Sequence, residues 1–206
     1  MRFAIAAFLG SLLALPAWGQ DQGRDWQICA NASQTFTPQR QTQACSAVLQ
    51  AGGLSAPMLG FALYNRGNAS LALGNFVTAV EDYDHSIEAN PSDPNPFKAR
   101  CWALSVIGRL DEALADCSAS LQLQPEQDDA LETRGLILLR QGAYVRARQD
   151  FERALQINPR LPGSLFGRGI AELRLGDGDR ASADLAAARA MRGDIDAQFA
   201  RFGIRP

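Results

Sequence analysis

Apolar residues recur along this chain in short clusters of helical spacing, and each cluster is closed by a glycine or a proline. Between Gly60 and Leu73, Phe61, Leu63 and Leu71 fit a helix that also carries small residues, Gly67 among them. Gly74 ends it, because glycine takes the left-handed conformation a helix C-terminus often needs. From Phe76 to Ala89, Val80, Tyr83 and Ile87 fall three and four apart, on one face of a second helix. Pro91 stops that helix, having no backbone donor and a ring that clashes with the preceding turn. The pattern predicts two antiparallel helices joined by a tight turn.

The same pattern returns every 34 residues. Stepping from Gly74 gives Gly108, Gly142 and Gly176; from Ala79, Ala113, Ala147 and Ala181; from Pro91, Pro125 and Pro159, after which the series lapses at Gly193. Arg66, Arg100, Arg134 and Arg168 form a fourth series, and Asp82, Asp116, Asp150 and Asp184 a fifth. Series sharing one register are the signature of a repeat architecture. Small residues (Gly67, Ala79) let the two helix axes approach, and a large residue on each second helix (Tyr83, Phe151, Leu185) fills the space beside that contact. One pair cannot cover its apolar face alone, so pairs must stack.

In the third unit Leu131, Gly135, Leu138, Gly142, Tyr144, Ala147, Phe151, Ala154 and Pro159 occupy the places of the consensus W-x₂-L-G-x₂-Y, A-x₃-F, P. From Gly60 to about Arg192 the chain therefore resembles the tetratricopeptide repeat (TPR) family. That resemblance implies an all-α fold, a right-handed α-solenoid of antiparallel helix pairs, and a role as a protein-interaction scaffold. The units are expected at residues 60–93, 94–127, 128–161 and 162–193, the last divergent because Gly178 replaces the aromatic of its turn and no proline closes it.

Both ends depart from the period. Arg2, an apolar run from Phe3 to Leu15, Pro16, and small residues around Trp18 predict a signal peptide over residues 1–19, cleaved after Gly19. The run is short of the roughly 20 residues a spanning helix needs, so contact with a membrane is expected only through the uncleaved precursor. Residues 20–56 read as a degenerate pair: Gln41 to Gly52 align with Ala79 to Asn90, and Cys29 falls opposite Gly67 once a four-residue excess is placed between Gly53 and Met58. Thr37 and Pro38 supply its second helix with an N-cap and a first-turn proline. This segment also resembles, more loosely, the N-terminal regions of exported bacterial TPR proteins. Residues 194–206 are expected to form a capping helix from Asp194 to Phe202, with Ile195, Phe199 and Phe202 covering the apolar face of the last unit.

Composition narrows the function. Of 206 residues 47% are hydrophobic, enough for a sizeable core, and the formal charge is −2 with both signs scattered. Without a basic tract, nucleic acid is not expected as a partner. Cys29 and Cys45, and Cys101 and Cys117, are each sixteen apart and occupy the same two repeat positions. In an exported protein they are expected to form two disulfides. Each loop would contribute roughly 3 kcal/mol in the chain-entropy model. The Arg and Asp series reads as a helix-to-helix ion pair, Arg100 with Asp116 and likewise elsewhere, rather than as catalytic machinery. His85, the one histidine, has no nucleophile or metal-ligand motif around it, and no phosphate loop or dinucleotide fingerprint is present. No cofactor, metal, small-molecule substrate or enzymatic activity is expected.

By resemblance the working surface is the inner face, built from the first helix of each unit. Repeat position assigns to it Tyr64 and Asn68, Lys98 and Trp102, Glu132 and Leu136, Phe166 and Ile170, with Leu71, Leu139, Arg140, Leu173 and Arg174 a turn further on. An aromatic and aliphatic stripe with few polar groups suits an amphipathic helix or extended peptide, and Trp102 is the expected anchor. The basic clamp with which some TPR domains hold chaperone carboxylates is not reproduced, since Glu132 would oppose an anionic tail. The expectation is a periplasmic protein of a Gram-negative bacterium, or failing that a secreted one, which holds a protein or peptide partner. A structural envelope component without a discrete peptide site is the alternative.

Overall fold

The computed structural model describes residues 17–206, and among these every regular element is an α-helix. Most of the expected leader, residues 1–16, lies outside the described residues. The helices run in pairs: α1 (Ala17–Ala30) with α2 (Pro38–Ala51), α3 (Ala56–Ala72) with α4 (Phe76–Ala89), α5 (Pro94–Ile107) with α6 (Leu110–Leu123), α7 (Asp128–Arg140) with α8 (Tyr144–Ile157), and α9 (Pro162–Leu175) with α10 (Gly178–Met191). A short α11 (Ile195–Ala200) follows. No described helix is long and apolar enough to cross a membrane.

The turn chemistry is as the glycine series requires. Gly74, Gly108, Gly142 and Gly176 have φ of 79°, 87°, 75° and 89°, a region that only glycine enters without strain. Thr37 caps α2, its hydroxyl accepting the Arg40 N–H at 3.3 Å, and Pro38 opens the helix. One boundary differs from expectation: α3 starts at Ala56, so much of the four-residue excess is an extra helical turn rather than linker. Pro57 in its first turn explains this, because its missing N–H is one that a helix start leaves unpaired anyway.

In three of the pairs the contact is a glycine facing a large side chain. A methyl group placed on Gly67 would lie 2.6 Å from Tyr83 Cε1, one on Gly135 2.8 Å from Phe151 Cε1, and one on Gly169 3.0 Å from Leu185 Cγ. At the equivalent places of the other two pairs the structure joins Cys29 to Cys45 and Cys101 to Cys117, with Cα separations of 4.6 and 5.3 Å. A disulfide thus replaces a glycine-and-ring contact.

The arginine series ties the pairs together. Each guanidinium binds the aspartate of its own unit through two nitrogens: Arg66 on Asp82, Arg100 on Asp116 at 2.6 and 2.7 Å, Arg134 on Asp150 at 2.7 Å twice, and Arg168 on Asp184 at 2.6 and 2.9 Å. A third nitrogen reaches the second helix of the preceding unit: Arg100 to Asp84 at 2.5 Å, Arg134 to Ser118 at 3.4 Å, Arg66 to Ser46 at 3.5 Å. Sequence reasoning missed this second link.

The first helices α1, α3, α5, α7 and α9 each touch the next first helix, whereas no second helix touches the next second helix. First helices therefore form the inner, concave wall of the solenoid and second helices fan out behind it.

Candidate functional site

Of the positions that repeat register assigned to the inner face, Leu136, Phe166 and Ile170 are buried, and a segment of the chain crosses the first helices there. The expected cap, Asp194 to Phe202, is shorter as a helix: α11 packs on both helices of the last unit, and the chain beyond it runs on over the wall. Asp194 makes no side-chain capping bond, α11 stops at Ala200, and a turn follows. Gly203, with φ 76°, lets the chain reverse, and the Ile204 N–H closes the turn on the Phe199 carbonyl at 3.1 Å. This is the glycine-terminated helix end of the Schellman type. Ile195 and Phe199 are buried in the core of the last unit, as expected, but the chain then crosses the concave face of earlier units. The Phe202 ring sits 5.8 Å from Trp102 on α5, edge to face, and Phe199 lies 4.8 Å from Phe166 on α9.

Leu136, Phe166 and Ile170 are consequently not open groove surface, with relative exposures of 6%, 0% and 2%. Their apolar side chains gain about 25 cal/mol for each Å² taken from water, and the tail supplies that cover. Trp102 remains partly exposed, bordering a small cavity lined by Glu132, Thr133, Leu136, Phe199 and Phe202. On the other side of the tail a cavity of about 390 Å³ is lined by Leu139, Arg140, Tyr144, Ile170, Arg174 and the tail residues Phe202 to Arg205. Arg174 donates to the Arg205 carbonyl at 2.9 Å, and Arg140 lies 5.9 Å from the centre of the Phe202 ring while donating to the Ser105 carbonyl at 2.6 Å.

The polar members of the wall are tied down. Asn68 accepts the Tyr83 hydroxyl at 2.8 Å, and burial pushes that phenol far up, with Tyr64 and Asp82 adding to it. Tyr64 is partly buried with its ring 6.1 Å from Tyr83. Lys98 pairs with Asp129 at 2.8 Å. Glu132 turns toward α9, accepts the Ser164 hydroxyl at 2.6 Å and fills the space over Gly163. Burial raises its carboxyl above the usual range, against the lowering pull of Ser164. Glu132 is a packing element between two units as much as a groove charge, which its repeat position alone did not disclose.

His85 is exposed and lies beside Glu88, its Nδ1 3.3 Å from Oε2. Among the described residues no group of histidine, cysteine, aspartate or glutamate side chains is placed to hold a metal ion.

Comparison with known proteins agrees with this geometry. Two tetratricopeptide repeat family models match, one over residues 62–93 and one over residues 102–162. No curated protein matches in sequence. Among solved structures the chain is similar to the MamA protein, 18% identical with a TM-score of 0.70, covering 87% of this chain and 96% of that one. It is similar to YrrB, described as a TPR protein with an unusual peptide-binding site, at 16% identity and a TM-score of 0.68, covering 86% and 92%. A tetratricopeptide repeat protein from Parabacteroides merdae gives 19% identity and a TM-score of 0.71, covering 90% and 75%. At these identities the likeness carries the fold, and the fold, the family models and the 34-residue register coincide: the chain is a tetratricopeptide repeat protein, of a family of interaction scaffolds.

Proposed function

We propose that this protein is an exported scaffold that holds a peptide segment of a protein partner on its concave wall, with Trp102 as the principal anchor. The observation that carries the reading is the composition of that wall. Trp102, Leu136, Phe166 and Ile170 make a continuous apolar stripe on the inner helices, bordered by Arg140 and Arg174, and a peptide-like segment already lies along it. Such a stripe recognises an apolar side-chain pattern and uses arginines for the backbone carbonyls, as Arg174 does here. The description of YrrB as having a peptide-binding site supports the same use of this fold. Export to the periplasm is supported by the leader pattern of residues 1–19 and by four cysteines that all pair.

The test is a peptide-display library panned on the full chain, with enriched peptides then measured against Trp102→Ala. A buried tryptophan anchor at an interface is worth about 2 kcal/mol or more, so enriched peptides should bind the variant at least tenfold more weakly. Enriched peptides indifferent to Trp102→Ala would remove the groove from the mechanism and leave the role of a structural envelope component.

A further inference from the structure

We infer that residues 199–206 are a built-in ligand of the groove, and that the partner is a peptide of the same chemistry that must displace them. This rests on the groove reading above and names what the groove takes. A helix that merely finished the stack would lie beside α10 and touch only the last unit. Here α11 itself sits against both helices of the last unit, but the chain does not stop there: Phe202, just beyond α11, reaches Trp102 two units away from the end of the stack, and Gly203 turns the chain back. Three side chains make the contact: Phe199 on Phe166, Phe202 between Trp102 and Arg140, and Ile204 beside Ile170. Their spacing defines the partner as well: an aromatic residue, a second aromatic three positions on within one helical turn, then an aliphatic residue two further, after a reversal.

The tail is held by removable contacts. Its apolar grip is three side chains, Phe202 is only partly buried, and the hydrogen bond to the Arg205 carbonyl comes from an exposed arginine. At the base of α11 the Arg189–Asp196 pair, 2.7 Å apart, is also exposed. Such a segment can release while Ile195 keeps the last unit covered. A partner competing with it binds more weakly than its intrinsic affinity, by the fraction of molecules whose tail is out.

The probe is a labelled synthetic peptide with the sequence of residues 194–206, titrated by fluorescence anisotropy into the full chain. Wild type, Phe202→Ala and Ile204→Ala are compared, and a peptide with both phenylalanines replaced by alanine is the control. Phe202→Ala weakens the internal tail without touching the wall, and should tighten probe binding by about tenfold or more. Ile204→Ala loosens the tail at a second point, again without touching the wall, and should move affinity the same way by less, which guards against a folding defect in the first variant. The control peptide should bind none of the three. Equal probe affinity for all three proteins, or no binding to any, overturns the inference. So does a wild-type chain that dimerises with concentration in sedimentation and loses this in Phe202→Ala, since the tail would then belong to a second copy. If library peptides depend on Trp102 while Phe202→Ala leaves their affinity unchanged, the groove reading stands and the built-in ligand falls.

Discussion

Gly167→Ala sets two well-known effects against each other at one position. Gly167 lies in the interior of α9, where alanine is favoured over glycine by about 1 kcal/mol on helix propensity. Packing opposes it. The added methyl would sit 2.3 Å from Phe151 Cζ and 2.7 Å from both Cε atoms. Carbon atoms rest about 3.5–4.0 Å apart, so the ring tip would have to retreat by roughly an ångström or more. It has nowhere to go, because Phe151 is fully buried and a methyl on Gly135 would meet the same ring at 2.8 Å. Overpacking a well-filled core costs about 1–3 kcal/mol, and an overlap this large belongs at the upper end. The expected net loss is about 2 kcal/mol, read as a lower urea midpoint with unchanged slope by far-ultraviolet circular dichroism. The fourth unit shows the remedy, since there Leu185 faces Gly169. Adding Phe151→Leu to Gly167→Ala should therefore recover at least about 1 kcal/mol relative to the sum of the single changes, as coupled neighbours do. A Gly167→Ala protein as stable as wild type, or a cycle that adds without coupling, would refute the wedge.

Two further outcomes follow from the buried charges. Burial pushes the Asp116 carboxyl up from its usual range even with Arg100 bound through two nitrogens. Burial lowers the Arg100 guanidinium, but Asp116 and Asp84 raise it on balance. As for buried pairs generally, desolvation offsets much of the attraction between the two charges. Breaking it is a different matter: Asp116→Asn leaves Arg100 half-paired and should cost about 1–3 kcal/mol in urea unfolding. Arg100→Met with Asp116→Leu should come out near neutral, and a double variant worse than Asp116→Asn would contradict the account. Glu132 gives the pH dependence. Its carboxyl is raised on folding, chiefly by burial, so the folded state holds the proton more tightly and its contribution is fully present below the ordinary value of 4.5. That contribution is lost as pH rises through the folded value. Glu132→Gln keeps an acceptor for Ser164 while shedding the charge, and should be at least as stable as wild type at pH 7 with the difference vanishing near pH 4. A variant less stable at pH 7 than at pH 4, relative to wild type, would reverse the sign.

The helix pairs, turn glycines, glycine-and-ring contacts and Arg–Asp pairs were all legible because each recurs with the period. The second link of each arginine was not, for an equally physical reason. The position it reaches is Ser46, Asp84 and Ser118 in successive units, and in the next it is Glu152, whose charge acts on Arg168. A site that needs only some acceptor of roughly the right length keeps no single residue type, so it forms no series. The direction of the tail was hidden differently. Ile195, Phe199 and Phe202 mark an apolar helix face at either location, on the last unit or along the groove. The distinguishing signal is Gly203 with Ile204, a reversal and one more apolar residue, which a helix that simply ended would not need.

The same contrast locates specificity. Within one chain, four units are four solutions to one packing problem, so positions that stay constant between them are those where the fold accepts only one residue type, and positions that vary are those where it does not. Arginine, aspartate, the turn glycine and the small alanine hold through all four units. On the inner wall the equivalent positions read Tyr64, Lys98, Glu132, Phe166 and Asn68, Trp102, Leu136, Ile170, with no residue used twice. If stacking alone governed that wall, it would impose common choices there, as the fold does at the arginine, aspartate, turn-glycine and alanine positions. Instead the apolar members gather at the C-terminal end, where Phe199, Phe202 and Ile204 meet them, while the polar pair at the N-terminal end is tied to Tyr83 and Asp129. The wall is polarised along its length, and on the proposed groove reading that would set the direction in which an occupant matches it.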